Sequence, residues 1–285
     1  MNILNLWYVN VIAFLFFSVL WTQSFRVVVK SSNKDAAITI LVRSLTGVIT
    51  LIWIPFFVIQ FPTDLSTYFF LGLAIIFYAI ADRLDVTARR GLEASTFGIL
   101  SKAQTIFMMI IGLLFFREPF AITKIIGALL IVFSNVLVLY KKDNVRFNKH
   151  VVLAILSKLA FVIAMSLDIG ISGNFNLPLY IGVTFIVPSA LIFLFERPKI
   201  SDITSEFKSG KKIAILTASI SLSLGALFGL RAYLLGSVTT VAPLFATTAI
   251  LNVFAGYIFL KERDNLLKKI LAAILIIFGI VLIQI

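Results

Sequence analysis

Five basic side chains lie inside long apolar stretches of the chain or near their ends, where a positive charge needs a counter-charge or water. A charge at the centre of a lipid bilayer costs at least about 2.5–3.5 kcal/mol, so such a side chain usually faces a cavity or a partner. If the stretches cross a membrane, these cations are suited to bind a carboxylate or phosphate group. The five are Arg43, Arg83, Lys102, Lys158 and Arg231, and the acidic residues in similar positions are Asp82, Asp85 and Asp168.

Lys102 lies near the middle of an apolar stretch and, at helical spacing, shares a face with Gly98 and Thr105. About ten residues, or roughly 15 Å of helix, separate it from the end of the stretch. A lysine can extend its side chain toward the membrane surface over part of that distance. The depth favours the alternative, in which Lys102 faces a cavity and binds substrate.

Lys158 lies at a similar depth in a later stretch, on a face that also carries Phe161, Met165 and Asp168. About 15 Å of helix separates Lys158 from Asp168, which is too far for the two to pair. We therefore expect Lys158 to line the cavity as a second substrate-binding cation. Asp168 is a candidate for a carboxylate that couples protons to the activity or that gates the cavity.

Arg43 belongs to a polar stripe with Thr39, Thr46 and Thr50, which needs water or a neighbouring helix to satisfy its polar groups. Arg43 could equally extend toward the nearby basic loop. Arg231 is predicted close to the opposite membrane surface, where it could bind a substrate anion or lipid headgroups. Both arginines are candidate substrate-binding residues.

Asp82, Asp85 and Arg89 share one face at the end of the third stretch, with Arg83 beside them. A local ion-pair cluster at the membrane surface is the simpler interpretation. The alternative is that Asp82 or Asp85 has a functional role, as a gate or as a carboxylate that takes up and releases protons, as Asp168 could.

Uncharged polar residues also gather where a cavity is predicted. Hydrogen bonds between helices would explain them equally well, and Trp21 could either stack on a ligand ring or lie at the membrane interface. The candidates for substrate binding are Trp21, Gln104, Thr248 and Asn252, with Ser18, Thr22, Gln23 and Thr247 nearby.

The sequence contains no motif for catalysis or for nucleotide binding. The patterns GxxxxGK[ST], GxSxG and HExxH are missing. There is no Cys, and the single histidine, His150, lies in a basic loop. We therefore expect no enzyme activity, no cofactor and no metal.

The composition is typical of a helical membrane protein. Hydrophobic residues make up 60% of the chain and charged residues 13%, with a mean hydropathy of +1.07, whereas soluble domains average about 45–50% apolar and 25% charged. The net charge of +12 could indicate nucleic-acid binding, but the basic residues occupy short gaps between apolar stretches. That distribution indicates membrane orientation. We expect a lipid bilayer and a small-molecule substrate as partners, and no nucleic acid.

Ten stretches are apolar over about the 20 residues that a membrane-spanning helix needs. They lack the alternation of a membrane β-barrel. We interpret the first as a membrane helix rather than a signal peptide, because no basic segment precedes it. The gap at 196–212 is the longest linker. The stretches are 6–25, 36–59, 67–88, 92–116, 120–140, 150–171, 177–195, 213–235, 238–260 and 266–285.

Two segments half a chain apart share one pattern. Gly91–Glu118 and Gly236–Glu262 each begin with Gly and a polar turn, continue as one apolar helix and end in a basic residue followed by Glu. Each half then holds five helices, and an odd number inverts the second half relative to the first, as in many secondary transporters. The predicted fold is an all-α membrane protein of ten transmembrane helices in two inverted five-helix repeats, residues 1–144 and 145–285.

These segments resemble the drug/metabolite transporter superfamily, in particular its ten-helix EamA-type branch. The resemblance covers the whole chain and implies that helices one to four and six to nine line a central cavity, while five and ten brace the outside. It is specific for the fold and weak for the substrate, since the family carries amino acids, sugars and nucleotide derivatives. It is carried by Gly236-Ser-Val-Thr-Thr-Val-Ala-Pro-Leu-Phe, by Leu260-Lys-Glu262, by Phe116-Arg-Glu118 and by the helix that contains Gly127.

The basic residues also predict an orientation. Eighteen of the 25 Lys and Arg lie in the gaps after helices one, three, five, seven and nine, whereas the opposite side holds only Arg117 and Lys124. Because cytoplasmic loops carry an excess of Lys and Arg, both termini are predicted outside the cytoplasm. EamA-type transporters usually have both termini in the cytoplasm, so this chain departs from the family. The expected location is the cytoplasmic (inner) membrane, with several passes.

Together, the cations and the repeat predict a secondary active transporter. Its substrate would be a small anionic or zwitterionic metabolite, such as an amino acid or an organic or phosphorylated anion, moved by alternating access. Proton coupling and solute exchange are both open. The alternatives are a channel or scaffold membrane protein and, with less support, an integral membrane lipid enzyme that uses Asp82, Arg83 and Asp85.

Overall fold

The chain folds into a bundle of α-helices in a computed structural model. No β-strand occurs within the ranges that the structure describes, so the all-α part of the prediction is confirmed. These ranges are residues 5–30, 34–92, 97, 100–139, 148–208, 212–259 and 266–284.

The helices follow the predicted apolar stretches in order along the chain. The first half contains α1 (Trp7–Lys30), α2 (Asp35–Leu51), α3 (Leu65–Gly91), α4 (Ala103–Leu114) and α5 (Ile122–Leu139). The second half contains α6 (Lys149–Ile171), α7 (Leu177–Glu196), α8 (Ile200–Lys208), α9 (Lys212–Leu235), α10 (Val238–Ala246), α11 (Thr248–Phe259) and α12 (Leu266–Gln284).

Among the described residues, five helices are long and apolar enough to cross a membrane: α1, α3, α6, α7 and α9. Shorter apolar helices occupy the other predicted stretches. Large apolar side chains lie on the outer surface, and Leu65 and Phe195 are 84% and 83% exposed. So much exposed apolar surface indicates contact with lipid rather than water. The chain is therefore a helical membrane protein.

The helices pack largely in pairs. α3 packs against α6, α1 against α9, α2 against α7, α5 against α12, and α4 against α10. Apolar side chains such as Met108, Val162 and Val241 form a common core between α4, α6 and α10. The hydroxyls of Ser44 and Ser189, 2.9 Å apart, join α2 to α7 by a hydrogen bond.

Two of these pairs cross at glycines. A Cβ atom on Gly127 would lie 2.5 Å from the carbonyl oxygen of Gly279, and a Cβ atom on Gly279 would lie 2.7 Å from the carbonyl oxygen of Gly127. Similarly, a Cβ atom on Gly47 would lie 2.9 Å from the carbonyl oxygen of Gly182. Side chains at these positions would separate the helices, so α5–α12 and α2–α7 depend on small residues for their close approach.

Proline determines where the second apolar stretch stops being an α-helix. α2 ends at Leu51 rather than near residue 59, and a 3₁₀ turn at Ile54–Phe56 follows. Pro55 within this turn has no N–H group to donate to an α-helical hydrogen bond. The apolar residues beyond it connect α2 to α3.

The N-terminus of α3 is capped by Asp64, whose carboxylate accepts a hydrogen bond from the backbone N–H of Thr67 at 2.9 Å. The hydroxyls of Thr67 and Ser66 also donate to this carboxylate, and together they lower the pKa of Asp64 to about 2. Asp64 is thus an ionised surface carboxylate outside the apolar stretch.

The ninth apolar stretch is divided in two. α10 ends at Ala246 and α11 begins at Thr248, one turn after Pro243. Pro243 cannot donate a backbone hydrogen bond, and the hydroxyl and N–H groups of Thr247 both donate to the carbonyl of Leu244. At the break, two hydrogen bonds from Thr247 therefore satisfy the backbone carbonyl of Leu244.

Two further boundaries differ from the prediction. The gap at 196–212 contains the helix α8, whose sequence the continuous-stretch criterion missed because it is polar on one side. The predicted fourth stretch, 92–116, is described as a helix from Ala103 to Leu114; residues 93–96 and 98–99, including Gly98, lie outside the described residues.

Candidate functional site

Helices α2 and α3 bring together Arg43 and Asp82, which form an ion pair. Asp82 is 8% exposed and one of its carboxylate oxygens has no hydrogen-bond partner among the described residues. The guanidinium of Arg43 also lies 5.1 Å from the centre of the Phe185 ring on α7, within the range of a cation–π contact. Arg43 therefore points into the bundle rather than toward the basic loop.

Lys158 on α6 forms a second ion pair, with Asp85 on α3. The side chains of Lys158 and Asp85 are 12% and 20% exposed, and the Lys158 ammonium lies 5.0 Å from the centre of the Phe97 ring. Asp82 and Asp85 are less than one helical turn apart, and Asp82 interacts electrostatically with Lys158 as well as with Arg43. We call Arg43, Asp82, Asp85 and Lys158 the charged cluster.

Lys102 lies at the start of α4 and interacts electrostatically with Lys158, the nearest cation of the charged cluster. Within the described part of the chain, no carboxylate is within ion-pair distance of Lys102. The predicted substrate-binding cations Lys102, Lys158 and Arg43 are thus brought to one region, together with two of the predicted coupling carboxylates.

Asp168 occupies a different place, deeper along α6. It is 3% exposed and accepts hydrogen bonds from the hydroxyls of Tyr78 on α3 and Tyr180 on α7, each at 2.6 Å. The ten residues between Lys158 and Asp168 led us to expect that the two would not pair, and in the structure they do not. The sequence analysis missed both tyrosines. Tyr78 could have been found, because it lies one turn before Asp82 on the same helix.

Arg231 lies apart from the charged cluster. Its guanidinium donates a hydrogen bond to the side-chain oxygen of Asn5 at 3.0 Å and lies 5.5 Å from the centre of the Phe57 ring. These contacts place Arg231 at the opposite end of the bundle, where α9 ends. From the sequence, Arg231 was likewise predicted close to the opposite membrane surface, away from Lys102 and Lys158.

The uncharged candidates form a second polar group between α1 and α11. Gln23 donates to the side-chain oxygen of Asn252 at 3.1 Å, and Asn252 donates to the backbone carbonyl of Thr248 at 2.9 Å. Trp21 stacks on Phe25 with the ring centres 5.5 Å apart, and its buried indole N–H has no partner among the described residues.

The bonds from Gln23 join α1 to α11, whereas Thr248 and Asn252 donate to carbonyls three and four residues before them. Among the described residues, none of these hydrogen bonds reaches the charged cluster. Gln104 is half-buried on α4, two residues after Lys102. Gln104 is therefore close in sequence to Lys102, which lies next to the charged cluster. The other uncharged candidates, Trp21, Thr248 and Asn252, belong to the polar group between α1 and α11.

A cleft of about 350 Å³ opens at one end of the bundle, where α3 and α7 end and α2 and α8 begin. Arg83 forms an ion pair with Glu196 across this cleft, and the Lys34 ammonium lies 2.5 Å from the Asp202 carboxylate. Arg83 was predicted in a local ion-pair cluster on α3; in the structure, its ion pair instead joins α3 to α7. Its partner Glu196 was missed because it is distant in sequence.

Comparison with known proteins identifies the fold but no family. No protein-family model and no curated protein matches the chain. Among solved structures, 28 chains match. One of them, described only as a crystal structure of a protein, has a TM-score of 0.75 and 12% sequence identity, over 94% of this chain and 94% of that chain. At this identity, the likeness extends to the fold alone.

Proposed function

We propose that this chain is a secondary active transporter of the EamA-type, drug/metabolite class, which moves a small anionic or zwitterionic metabolite across the cytoplasmic membrane. The observation that carries the proposal is the set of charges buried between apolar helices. Among the described residues, Lys102, Lys158 and Arg43 exceed the two carboxylates of the charged cluster by one positive charge. A buried excess of this kind is most stable when an anion is bound to it.

A carboxylate or phosphate on the substrate would supply the missing negative charge. Lys102 is the natural first contact, because it has no carboxylate partner among the described residues. Arg43 could add a two-pronged hydrogen bond to the same group when it leaves Asp82. The amino group of a zwitterionic substrate would then bind the released Asp82. Amino acids and organic or phosphorylated anions fit this arrangement.

The packing of the helices supports a two-fold inverted repeat of residues 1–144 and 145–285. If α1, α2, α3 and α5 correspond to α6, α7, α9 and α12, then exchanging the halves converts the α1–α9 pair into the α6–α3 pair. The α2–α7 and α5–α12 pairs, each with its glycine crossing, are converted into themselves. Inverted five-helix repeats are expected to give a set of helix pairs that stays the same when the two halves are exchanged.

The ion pairs around the cleft suit a role in alternating access. Arg83–Glu196 ties α3 to α7, and Lys34–Asp202 ties the start of α2 to α8. All four residues lie on the side with the excess of basic residues, which is the cytoplasmic side in our assignment, with both termini outside. Opening on that side would separate α3 from α7 and α2 from α8 and break these pairs, so they would close the site while the opposite side is open.

The proposal is tested by the thermal stability of the purified protein in the presence of a metabolite panel. A ligand that binds only the folded state raises apparent stability, by about 2.7 kcal/mol at 100 times its Kd. We expect anionic or zwitterionic metabolites to stabilise the wild type. Because a charge-assisted hydrogen bond contributes about 1.5–3 kcal/mol, Lys102→Ala should weaken the binding of the same metabolite roughly 10- to 150-fold.

The matched control is Lys199→Ala, which removes an exposed lysine outside the bundle and should leave ligand stabilisation unchanged. Stabilisation by cations or neutral aromatic compounds alone would contradict the anionic substrate class. Equal ligand stabilisation of wild type and Lys102→Ala would show that Lys102 does not contribute to ligand binding.

A further inference from the structure

Asp168 differs from Asp82 and Asp85 in having no cationic partner among the residues that the structure describes. Asp82 pairs with Arg43 and Asp85 pairs with Lys158. Asp168, at 3% exposure, contacts only the hydroxyls of Tyr78 and Tyr180 among the polar groups of the described residues. Burying an ionised carboxylate in an apolar interior without a cation is costly.

In the part of the chain that the structure describes, the elements packed against this part of α6 bring no charged side chain into contact with Asp168. α3 contributes Tyr78 and α7 contributes Tyr180. Arg43 on α2 acts electrostatically on Tyr78 and is paired with Asp82. Other titratable groups of the neighbouring helices are engaged elsewhere or lie at the other end of α6: Arg231 with Asn5, Tyr233 against Phe245, Asp85 with Lys158, Arg83 with Glu196, and Lys102 at the start of α4.

The hydrogen-bond geometry can satisfy both protonation states of Asp168. As a carboxylate it accepts from both tyrosine hydroxyls. As a carboxylic acid it must donate, and a tyrosine oxygen can accept if its own hydrogen turns elsewhere. Tyr78 has such a second acceptor, because its hydroxyl oxygen lies 3.6 Å from the sulfur of Met165. The rotation of one hydroxyl hydrogen therefore exchanges one satisfied state for the other.

We propose that Asp168 is a proton-binding site and that, given the transport function proposed above, its proton is the ion coupled to substrate movement. On binding, a proton from water forms an O–H bond with the Asp168 carboxylate; on release, the same bond breaks and the proton returns to water on the other side. Tyr78 lies one turn before Asp82 on α3, bonds to Asp168 and interacts electrostatically with Arg43. The Tyr78 side chain therefore links Asp168 to the Arg43–Asp82 pair.

The test is a pH titration by infrared difference spectroscopy of the purified full chain in lipid nanodiscs, without substrate. We expect a carbonyl stretching band of a protonated carboxyl that titrates reversibly and is lost in Asp168→Asn. Asparagine has the size of the protonated acid and can both accept from one tyrosine and donate to the other, so the variant should fold. The band should persist in Asp64→Asn, which removes an ionised surface carboxylate.

A second variant, Tyr78→Phe, removes the hydroxyl that would accept the carboxyl proton, so the band should change frequency there even if Asp168→Asn fails to fold. No titrating band, or a band that is insensitive to both Asp168→Asn and Tyr78→Phe, would overturn the proposal. So would loss of the band when sodium replaces choline at constant pH, because the site would then bind a metal cation. Since the titration needs no substrate, failure of the metabolite panel would count against transport and leave the proton site standing.

Discussion

Lys158 and Asp85 form an ion pair that is largely withdrawn from solvent, with side chains 12% and 20% exposed. Removal of one partner from such a pair leaves the other charge buried without compensation, whereas removal of both partners can be nearly neutral. The pair between Arg83 and Glu196 is more open, at 50% and 27% exposure. At the residue scale, the two pairs should therefore respond differently to the same kind of substitution.

We predict that Asp85→Asn lowers the free energy of unfolding by about 3–5 kcal/mol. The double variant Asp85→Asn/Lys158→Met should recover most of that loss, because no charge is then left unpaired. Glu196→Gln, in the more open pair, should cost about 1 kcal/mol or less. Thermal unfolding in a single detergent compares the three variants. If Asp85→Asn costs no more than Glu196→Gln, the Lys158–Asp85 pair is not buried in solution.

The depth of the cations could be predicted from the sequence, but their partners could not. Lys102 and Lys158 were expected to face the same interior, because both lie far from the ends of apolar stretches. The pairing of Arg43 with Asp82 depends on how α2 and α3 are rotated about their axes, which hydropathy does not determine. Tyr78 and Tyr180 were missed because neutral aromatic residues are common in apolar helices, and only the contact with Asp168 distinguishes them.

At the scale of the elements, the glutamate that ends the repeated pattern in the first half has a structural role. The carboxylate of Glu118 accepts hydrogen bonds from the backbone N–H groups of Val238 and Thr239, at 2.5 and 2.8 Å, and from the Thr239 hydroxyl at 2.5 Å. These N–H groups belong to the first turn of α10, and N–H groups in a first turn have no acceptor within their own helix. A negative charge there also interacts favourably with the helix dipole.

We predict that Glu118→Ala lowers the free energy of unfolding by about 1–3 kcal/mol, the cost of leaving these donors without a charged acceptor. Glu118→Gln keeps one acceptor oxygen and should lose less. Thermal unfolding of both variants in the same detergent tests the order. Equal losses in Glu118→Ala and Glu118→Gln would show that the side-chain oxygen does not act as the cap.

The sequence predicted where helices occur better than where they end. The repeated basic-Glu ending marked the two corresponding segments, yet its capping role depends on α4 and α10 meeting in space. The break at Thr247 depends on Pro243 and on local hydroxyl bonds that hydropathy does not register. α8 lies in a polar gap and packs against α2 and α9, and its sequence is apolar on one side only, which a search for continuous apolar stretches does not detect.

At the scale of the whole molecule, charged residues are distributed unequally between the two ends of the bundle. The cleft with Arg83, Glu196, Lys34 and Asp202 lies at the end with the excess of basic residues. The charged cluster lies within two to three turns of that end, because it follows the starts of α2 and α6 and precedes the end of α3. Asp168 lies about 15 Å farther along α6 than Lys158. Orientation therefore decides from which side the anion site and the proton site are reached.

Since the chain has no Cys, a single introduced cysteine would be its only thiol and can report orientation without removing others. We predict that a membrane-impermeant thiol reagent labels Thr63→Cys, between α2 and α3, in intact cells. Ser205→Cys, on α8, should be labelled only after the membrane is permeabilised. Both positions are exposed on the surface of the chain, so any difference in labelling reflects the side of the membrane. The reverse pattern would place the basic loops outside, against the positive-inside rule, and the cleft and its ion pairs would then close the extracytoplasmic side.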